Sequence, residues 1–251
     1  MQNLLNDKVA IVTGAGSGIG RAIAYQLAAE GARVVVSDVN DKGGHETVSW
    51  LRDRSSAALY VHADTSKPTD SETLVAAAVK AFGGLDIAVN NAGIGGPAAP
   101  LGDYPVDGWD TVIAINLSGV FYGMRAQLPA MVARGGGSII NIASVLGQVG
   151  FRHSAAYVAA KHGVIGLTQN AALEYGPQKI RINAVAPGFI KTPLLEKTLN
   201  PEAIKALEAM HPLGRLGTAP EVAELVTFLA SAKASFLTGG FYPVDGGYLA
   251  Q

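Results

Sequence analysis

Short apolar runs alternate with longer amphipathic ones along almost the whole chain. Lys8 to Val12 is apolar and β-branched and stops at Thr13 and Gly14; a glycine-rich turn follows, then a helical pattern from Ile19 to Glu30 with Gly31 just beyond it as a C-cap. Arg33 to Ser37 reads as a second buried strand ending at Asp38, a polar helical stretch comes next, and Ala57 to His62 makes a third strand. Pro68 to Phe82 has proline at its start and glycine at its end, which predicts a helix, and Leu85 to Asn90 is the fourth strand.

Residues 90–105, NNAGIGGPAAPLGDYP, are too rich in glycine and proline for regular structure and are expected to edge a site. Asp107 to Arg134 carries one long helical pattern, Ser138 to Ala143 a fifth strand, Ala155 to Tyr175 a second long helix and Ile180 to Ala186 a sixth strand. Pro187 to Pro220 is the least regular region, with a helix expected from Pro201 to Met210; Glu221 to Ser231 is a further helix and Gly240 to Val244 a last strand. Alternation of this kind predicts an α/β fold, a doubly wound parallel sheet of about seven strands with helices on both faces. No repeat or linker divides the chain, so residues 1–251 are read as a single domain.

Composition agrees with a sheet buried on both faces, since 49% of residues are hydrophobic and 16% charged. A net charge of −1, with lysine and arginine scattered, gives nucleic-acid binding no electrostatic source. The absence of cysteine excludes disulfides, thiolate zinc sites and a cysteine nucleophile. With neither a signal-like N-terminus nor a run of about 18 apolar residues, the expectation is a soluble cytoplasmic protein that does not enter a membrane.

Candidate chemistry begins at the turn Thr13 to Gly20. It lies between a buried strand and a helix start, where backbone N–H groups and the helix dipole favour a phosphate anion. Asp38, 24 residues after Gly14, ends the second strand; it either accepts from ribose hydroxyls or caps the next helix. A carboxylate there repels the 2′-phosphate of NADP, and neither Ser17 nor Val39 supplies a compensating cation, so NAD is favoured. Asp64 after the third strand is open to two roles as well, an acceptor for an adenine amino group or a cap for the helix near Pro68. Asn91, Ala92 and Gly93 follow the fourth strand and permit close approach to a cofactor.

Tyr157 and Lys161 are i and i+4 on a predicted helix and share a face, so the pair is either a surface accident or a phenol beside an ammonium. A neighbouring ammonium lowers a phenol's pKa towards that of a usable base. Ser144, at the end of the fifth strand, adds a hydroxyl for a reacting oxygen. Taken with the Thr-Gly-x-x-x-Gly-x-Gly turn, Asn90 to Gly93, Asn116, the thirteen-residue step from Ser144 to Tyr157, and Pro187, Gly188 and Thr192, the chain resembles a short-chain dehydrogenase/reductase over nearly its whole length.

That resemblance implies a Rossmann-type fold and direct hydride transfer between a substrate carbon and nicotinamide. It implies Tyr157 as general acid/base, Lys161 as the group that lowers its pKa and binds the nicotinamide ribose, Ser144 as holder of the reacting oxygen, and Asn116 as keeper of a proton-relay water. Read without the family, Asn116 is a polar residue inside a helix. Cofactor contacts are expected at Gly14, Ser17, Gly18, Ile19, Gly20, Asp38, Val39, Asp64, Thr65, Asn91, Ala92 and Gly93, and at Tyr157, Lys161, Pro187, Gly188, Ile190 and Thr192 around the nicotinamide. An NADPH-dependent 3-oxoacyl-carrier-protein reductase and a non-catalytic NAD sensor share the same frame; Asp38 argues against the first and the full set of four reactive residues against the second.

The loops after strands four to six offer Gly95, Val145, Phe151, Phe189, Leu194, Leu195 and Met210, mostly apolar and without an arginine cluster, so a small neutral ketone or secondary alcohol is expected. Each of these residues equally suits ordinary packing. Residues 188–215 are expected to form a lid, and His153 and His211 flank the presumed pocket. The tail from Val244 to Gln251 resembles that of magnesium-dependent bacterial secondary-alcohol dehydrogenases, which implies a structural Mg2+ at Gln251; a plain exposed terminus is the other reading. Small residues on the Ala155 to Ala172 helix, together with the resemblance, suggest a homotetramer.

Overall fold

A computed structural model of the chain describes residues 3–193, 195 and 200–251. The main sheet contains β1 (Val9–Thr13), β2 (Arg33–Asp38), β3 (Ala58–His62), β4 (Ile87–Asn90), β5 (Gly137–Ile142) and β6 (Ile180–Pro187). A two-residue ladder pairs β7 (Ile190–Lys191) with β8 (Gly217–Thr218), and β9 (Phe241–Val244) completes the main sheet. Seven strands in the order β3-β2-β1-β4-β5-β6-β9 are all parallel. The direction of winding reverses between β1 and β4, and such a switch point opens a crevice at the carboxyl ends of the strands.

Helices α1 (Gly18–Ala29), α2 (Asp41–Arg52), α3 (Pro68–Phe82), α4 (Val106–Ile113), α5 (Gly119–Arg134), α6 (Ala155–Tyr175), α7 (Pro201–Ala209) and α8 (Ala219–Ala230) complete the alternation. Side chains alternate across a strand, so β1 serves two cores at once. Ala10 and Val12 pack with Ile23 and Leu27 of α1, Leu51 of α2 and Val222 and Val226 of α8; Val9 and Ile11 pack with Leu74 of α3, Met124 of α5 and Val164 of α6. This is why the strands read as continuous apolar runs rather than alternating ones. No helix of the described residues is long and apolar enough to cross a membrane.

Two departures from the sequence pattern bear on the site. The helix expected from Asp107 to Arg134 is α4 and α5 joined by a widened π-helical turn over Ala114–Ser118. Such a turn inserts one extra residue, which shifts the phase of the pattern but leaves both flanks helical in appearance, so the segment reads as one helix. The region expected to be irregular contains the β7–β8 ladder, which is too short for any periodicity to announce.

Candidate active site

Residues at or beyond the ends of β1 to β6 converge on one cavity of about 570 Å³. Gly14, Ser17, Gly18, Ile19 and Gly20 form one wall, Asp38, Val39, Asp64 and Thr65 a second, and Asn91, Ala92, Gly93 and Gly95 a third. Ser144, Val145, Phe151, Tyr157 and Lys161 meet Pro187, Gly188, Phe189, Ile190, Thr192 and Leu195 at the other end. Met210 is not among the lining residues, and Leu194 lies outside the described residues.

The glycine turn is compact enough to need its glycines: a Cβ on Gly20 would stand 2.3 Å from the Gly14 carbonyl oxygen. Ser17 at the N-cap of α1 makes no side-chain capping bond, so the first-turn N–H groups keep their donor capacity towards the cavity. An uncapped helix start beside a tight glycine turn is the chemistry a pyrophosphate requires, and the residues fit a dinucleotide there.

Asp38 is not the cap of α2; Asn40 is, its side chain accepting from the Gly43 N–H. Asp38 instead accepts from the Gly16 N–H at 2.8 Å and the Asn40 N–H at 2.9 Å, which fixes its carboxylate on the cavity wall. Asp64 accepts from the Ser66 hydroxyl and N–H at 2.7 and 3.0 Å and pairs with Lys67 at 3.5 Å. These contacts, the Ser66 hydroxyl foremost, hold its carboxyl below the usual range. It shapes the turn before α3 and also lines the cavity.

Thr13 contributes what its place at a strand end does not advertise. Its Oγ1 accepts from the N–H groups of Asn91 and Ala92 at 3.0 and 3.1 Å, while Asn91 Nδ2 donates to the Thr13 carbonyl at 2.8 Å. The turn after β1 and the loop after β4 are thereby fastened together.

Asn116 is fully buried in the widened turn. Its Oδ1 accepts from the Ile94 N–H at 2.9 Å and its Nδ2 donates to the Ile94 carbonyl at 2.8 Å. The amide clamps the loop that contains Gly93 and Gly95, a partnership that helix periodicity alone does not suggest. Neighbouring Ile115, with Ile94, Leu146, Ser154 and Pro193, lines the cavity without having been singled out by sequence. Apart from Ser154 these residues are apolar, and on loops and turn edges such side chains look like packing until the cavity is seen.

At the reactive end, α6 directs Tyr157 and Lys161 into the cavity. Ser144, buried just after β5, accepts from the Leu146 N–H at 3.1 Å and lines the cavity beside Tyr157. Lys161 donates to the Ile142 carbonyl at 2.7 Å and stands 5.5 Å from the Tyr157 ring. Burial pushes the Tyr157 phenol up, the Ser144 hydroxyl pulling the other way. Burial also lowers Lys161 to about 8. Desolvation of the phenol therefore sets the direction, and the influence opposing it is the Ser144 hydroxyl rather than the ammonium.

Among the described residues no group of three His, Cys, Asp or Glu side chains could hold a metal ion. Gln251 donates to the Met210 carbonyl at 2.7 Å. Magnesium takes an octahedral shell of oxygen donors. One chain does not supply that shell at Gln251, and no step is derived through the ion.

The chain matches the family model described as enoyl-(acyl carrier protein) reductase over residues 14–249. It is 47% identical over 251 residues to cyclohexanol dehydrogenase of Acinetobacter sp. (strain SE19), covering 100% of this chain and 98% of the relative. It is 45% identical to cis-4-hydroxycyclohexanecarboxylate dehydrogenase of Sinomonas cyclohexanicum, covering 97% of each. The crystal structure of levodione reductase superposes with a TM-score of 0.95 at 41% identity, covering 98% of this chain and 99% of that one. The glycine turn, the convergent Ser144, Tyr157 and Lys161, and likeness over the full length to dehydrogenases and a reductase make this chain an oxidoreductase of the short-chain dehydrogenase/reductase family, whose dehydrogenases use nicotinamide cofactors.

Proposed function

We propose that this enzyme interconverts a small, neutral, ring-bearing secondary alcohol and its ketone, with NAD as the cofactor. The observation that carries the reading is Tyr157 beside Ser144 and Lys161 at the apolar end of a cavity whose other end is a glycine turn beside a fixed Asp38. Bound nicotinamide would supply the hydride donor or acceptor. Ser144 holds the substrate oxygen and Tyr157 exchanges a proton with it. Its raised pKa keeps the phenol protonated at neutral pH, which suits proton donation to a ketone; alcohol oxidation needs the phenolate and gains as pH rises. Lys161 contributes positive charge below about 8 next to the developing phenolate. Asn116 keeps the loop after β4 in register with these groups and is assigned the relay water.

Among described lining residues the charged side chains are Asp38, Asp64 and Lys161, and the substrate end is Ile94, Val145, Phe151, Phe189 and Leu195. Such a wall favours a neutral hydrocarbon ring over a carboxylate or phosphate. The cyclohexanol activity in the name of one relative agrees with that size and polarity. Asp38 opposes a 2′-phosphate, which favours NAD. The covering role expected of residues 188–215, of which 194 and 196–199 lie outside the described residues, is assigned to Phe189, Pro193 and Leu195, which form one side of the substrate end. A cytoplasmic homotetramer is the working form, and a magnesium ion at Gln251 enters only if other copies of the chain complete its shell.

The test is NADH formation with cyclohexanol by wild type and by Tyr157→Phe. Removing the proton carrier should lower kcat by about 10³-fold, while NADH binding, followed by fluorescence, changes little. A variant that kept most of its turnover would sink the assignment.

A further inference from the structure

We propose that His211 is a positioning residue that holds the Phe189 wall of the substrate site; the proposal rests on the dehydrogenase reading above. His211 is 3% exposed, just beyond the end of α7. Its Nδ1 lies 2.7 Å from the Leu207 carbonyl, and its Nε2 lies 3.3 Å from the Phe189 N–H. A carbonyl only accepts and an N–H only donates, so the two contacts together require the proton on Nδ1 and a lone pair on Nε2. The ring is a strut of fixed polarity between α7 and the turn after β6.

The strut matters because of what lies on either side of that turn. Gly188, Phe189 and Ile190 line the main cavity on one side and a second cavity of about 300 Å³ on the other. They form a thin partition between the two cavities, anchored at one end by Ile190, which is buried in the core and paired with Gly217 of β8, and by the Gly217 N–H donating to the Phe189 carbonyl at 3.0 Å. The Phe189 N–H and ring depend on further contacts. His211 bonds the Phe189 N–H, the Gly188 N–H donates to the Val244 carbonyl at 3.0 Å, and the Phe189 ring contacts Phe151, His211 and Tyr248 with centroids 5.5, 5.8 and 5.8 Å apart. Gly188 allows the imidazole its close approach, since a Cβ there would stand 2.9 Å from Nε2 and 3.0 Å from the Asp245 Cα. Without the Nε2 acceptor the Phe189 N–H loses its partner and the partition can lean into the second cavity, enlarging the substrate site.

The experiment compares three variants with wild type, using cyclohexanol and NAD for turnover and NADH fluorescence for cofactor binding. His211→Gln can present an acceptor near the Nε2 position; His211→Asn retains a donor near Nδ1 and lacks that acceptor; His211→Leu has neither. The Asn and Leu variants should raise KM for cyclohexanol by about tenfold, with kcat and NADH affinity within about threefold of wild type, and Gln should restore most of the loss. A KM unchanged in Asn and Leu, a Gln variant as impaired as Leu, or a loss in kcat alone would each overturn the proposal. Nitrogen NMR of wild-type His211 gives a readout independent of any variant's folding: the Nδ1–H tautomer is expected, and an Nε2–H tautomer would refute it. If wild type does not turn over cyclohexanol or any other secondary alcohol, the dehydrogenase reading itself has failed, and the tautomer still decides whether the strut exists.

Discussion

Asp38 has a structural role, and the proposed preference for NAD rests on the same side chain. Its two carboxylate oxygens are taken by the Gly16 and Asn40 N–H groups, so the negative charge is held still on the cavity wall, where on that reading it repels the 2′-phosphate of NADP. Asp38→Ser removes that charge and leaves one hydroxyl to serve two backbone donors. Catalytic efficiency with NADP should rise at least about tenfold, equivalent to roughly 1.4 kcal/mol less repulsion, and efficiency with NAD should fall. Steady-state kinetics with both cofactors measures it, and unchanged selectivity would reduce Asp38 to a turn-former. Asp38, Tyr157 and Lys161 were readable in the sequence because each falls at a strand end or on a helix face where its reach is set by local spacing. Thr13 and Asn116 were named through the family resemblance, but their clamping roles were not readable, since their partners, Asn91 with Ala92 and Ile94, are remote in sequence and reached only once β1, β4 and the widened turn are assembled.

Between residue and fold, a buried amide chain ties the elements of the reactive site together. Gln127 of α5 donates to Asn90 of β4 at 2.8 Å, Asn90 donates to Asn141 of β5 at 2.9 Å, and Asn141 donates to Thr168 of α6 at 2.9 Å. Asn141 is fully buried and lies three residues before Ser144, while Thr168 lies two turns after Lys161 on the same helix. Asn141→Ala should cost about 2–3 kcal/mol in urea denaturation, from lost hydrogen bonds and a small cavity. Combined with Thr168→Val it should cost less than the sum of the two, because both remove the same bond. Strict additivity would show that the chain does not couple β5 to α6. Strand and helix identities were legible here because apolar runs of strand length alternate with helix-length segments. The amide chain was not, because in sequence each member is only a polar residue interrupting an apolar run. The break at Ala114–Ser118 escaped for another reason, that a π turn preserves the helical look of its flanks.

The proposed homotetramer makes demands on the outer surface of the molecule. From Ala155 to Leu173, α6 has one charged side chain, Lys161, and that one is buried in the cavity wall. Its exposed positions are His162, Gly166, Gln169, Asn170 and Leu173, and Leu173 is 83% exposed. Trp109 of α4 and Phe121 of α5 add exposed aromatic surface. An exposed helix face without charge, with Gly166 allowing close approach and Leu173 offering apolar surface, suits contact with a second helix of the same kind. Gly166 offers a test that separates assembly from folding. A Cβ there meets nothing within 4 Å, and replacing a helical glycine adds up to about 1 kcal/mol of helix propensity. Gly166→Arg should therefore leave the single chain as stable as before or more so, while placing a bulky cation in any helix–helix contact across this face. Wild type should elute from size exclusion at four chain masses and the variant at a smaller assembly. A wild type that elutes at one chain mass would remove the homotetramer, and a variant that stays tetrameric would move the interface away from α6.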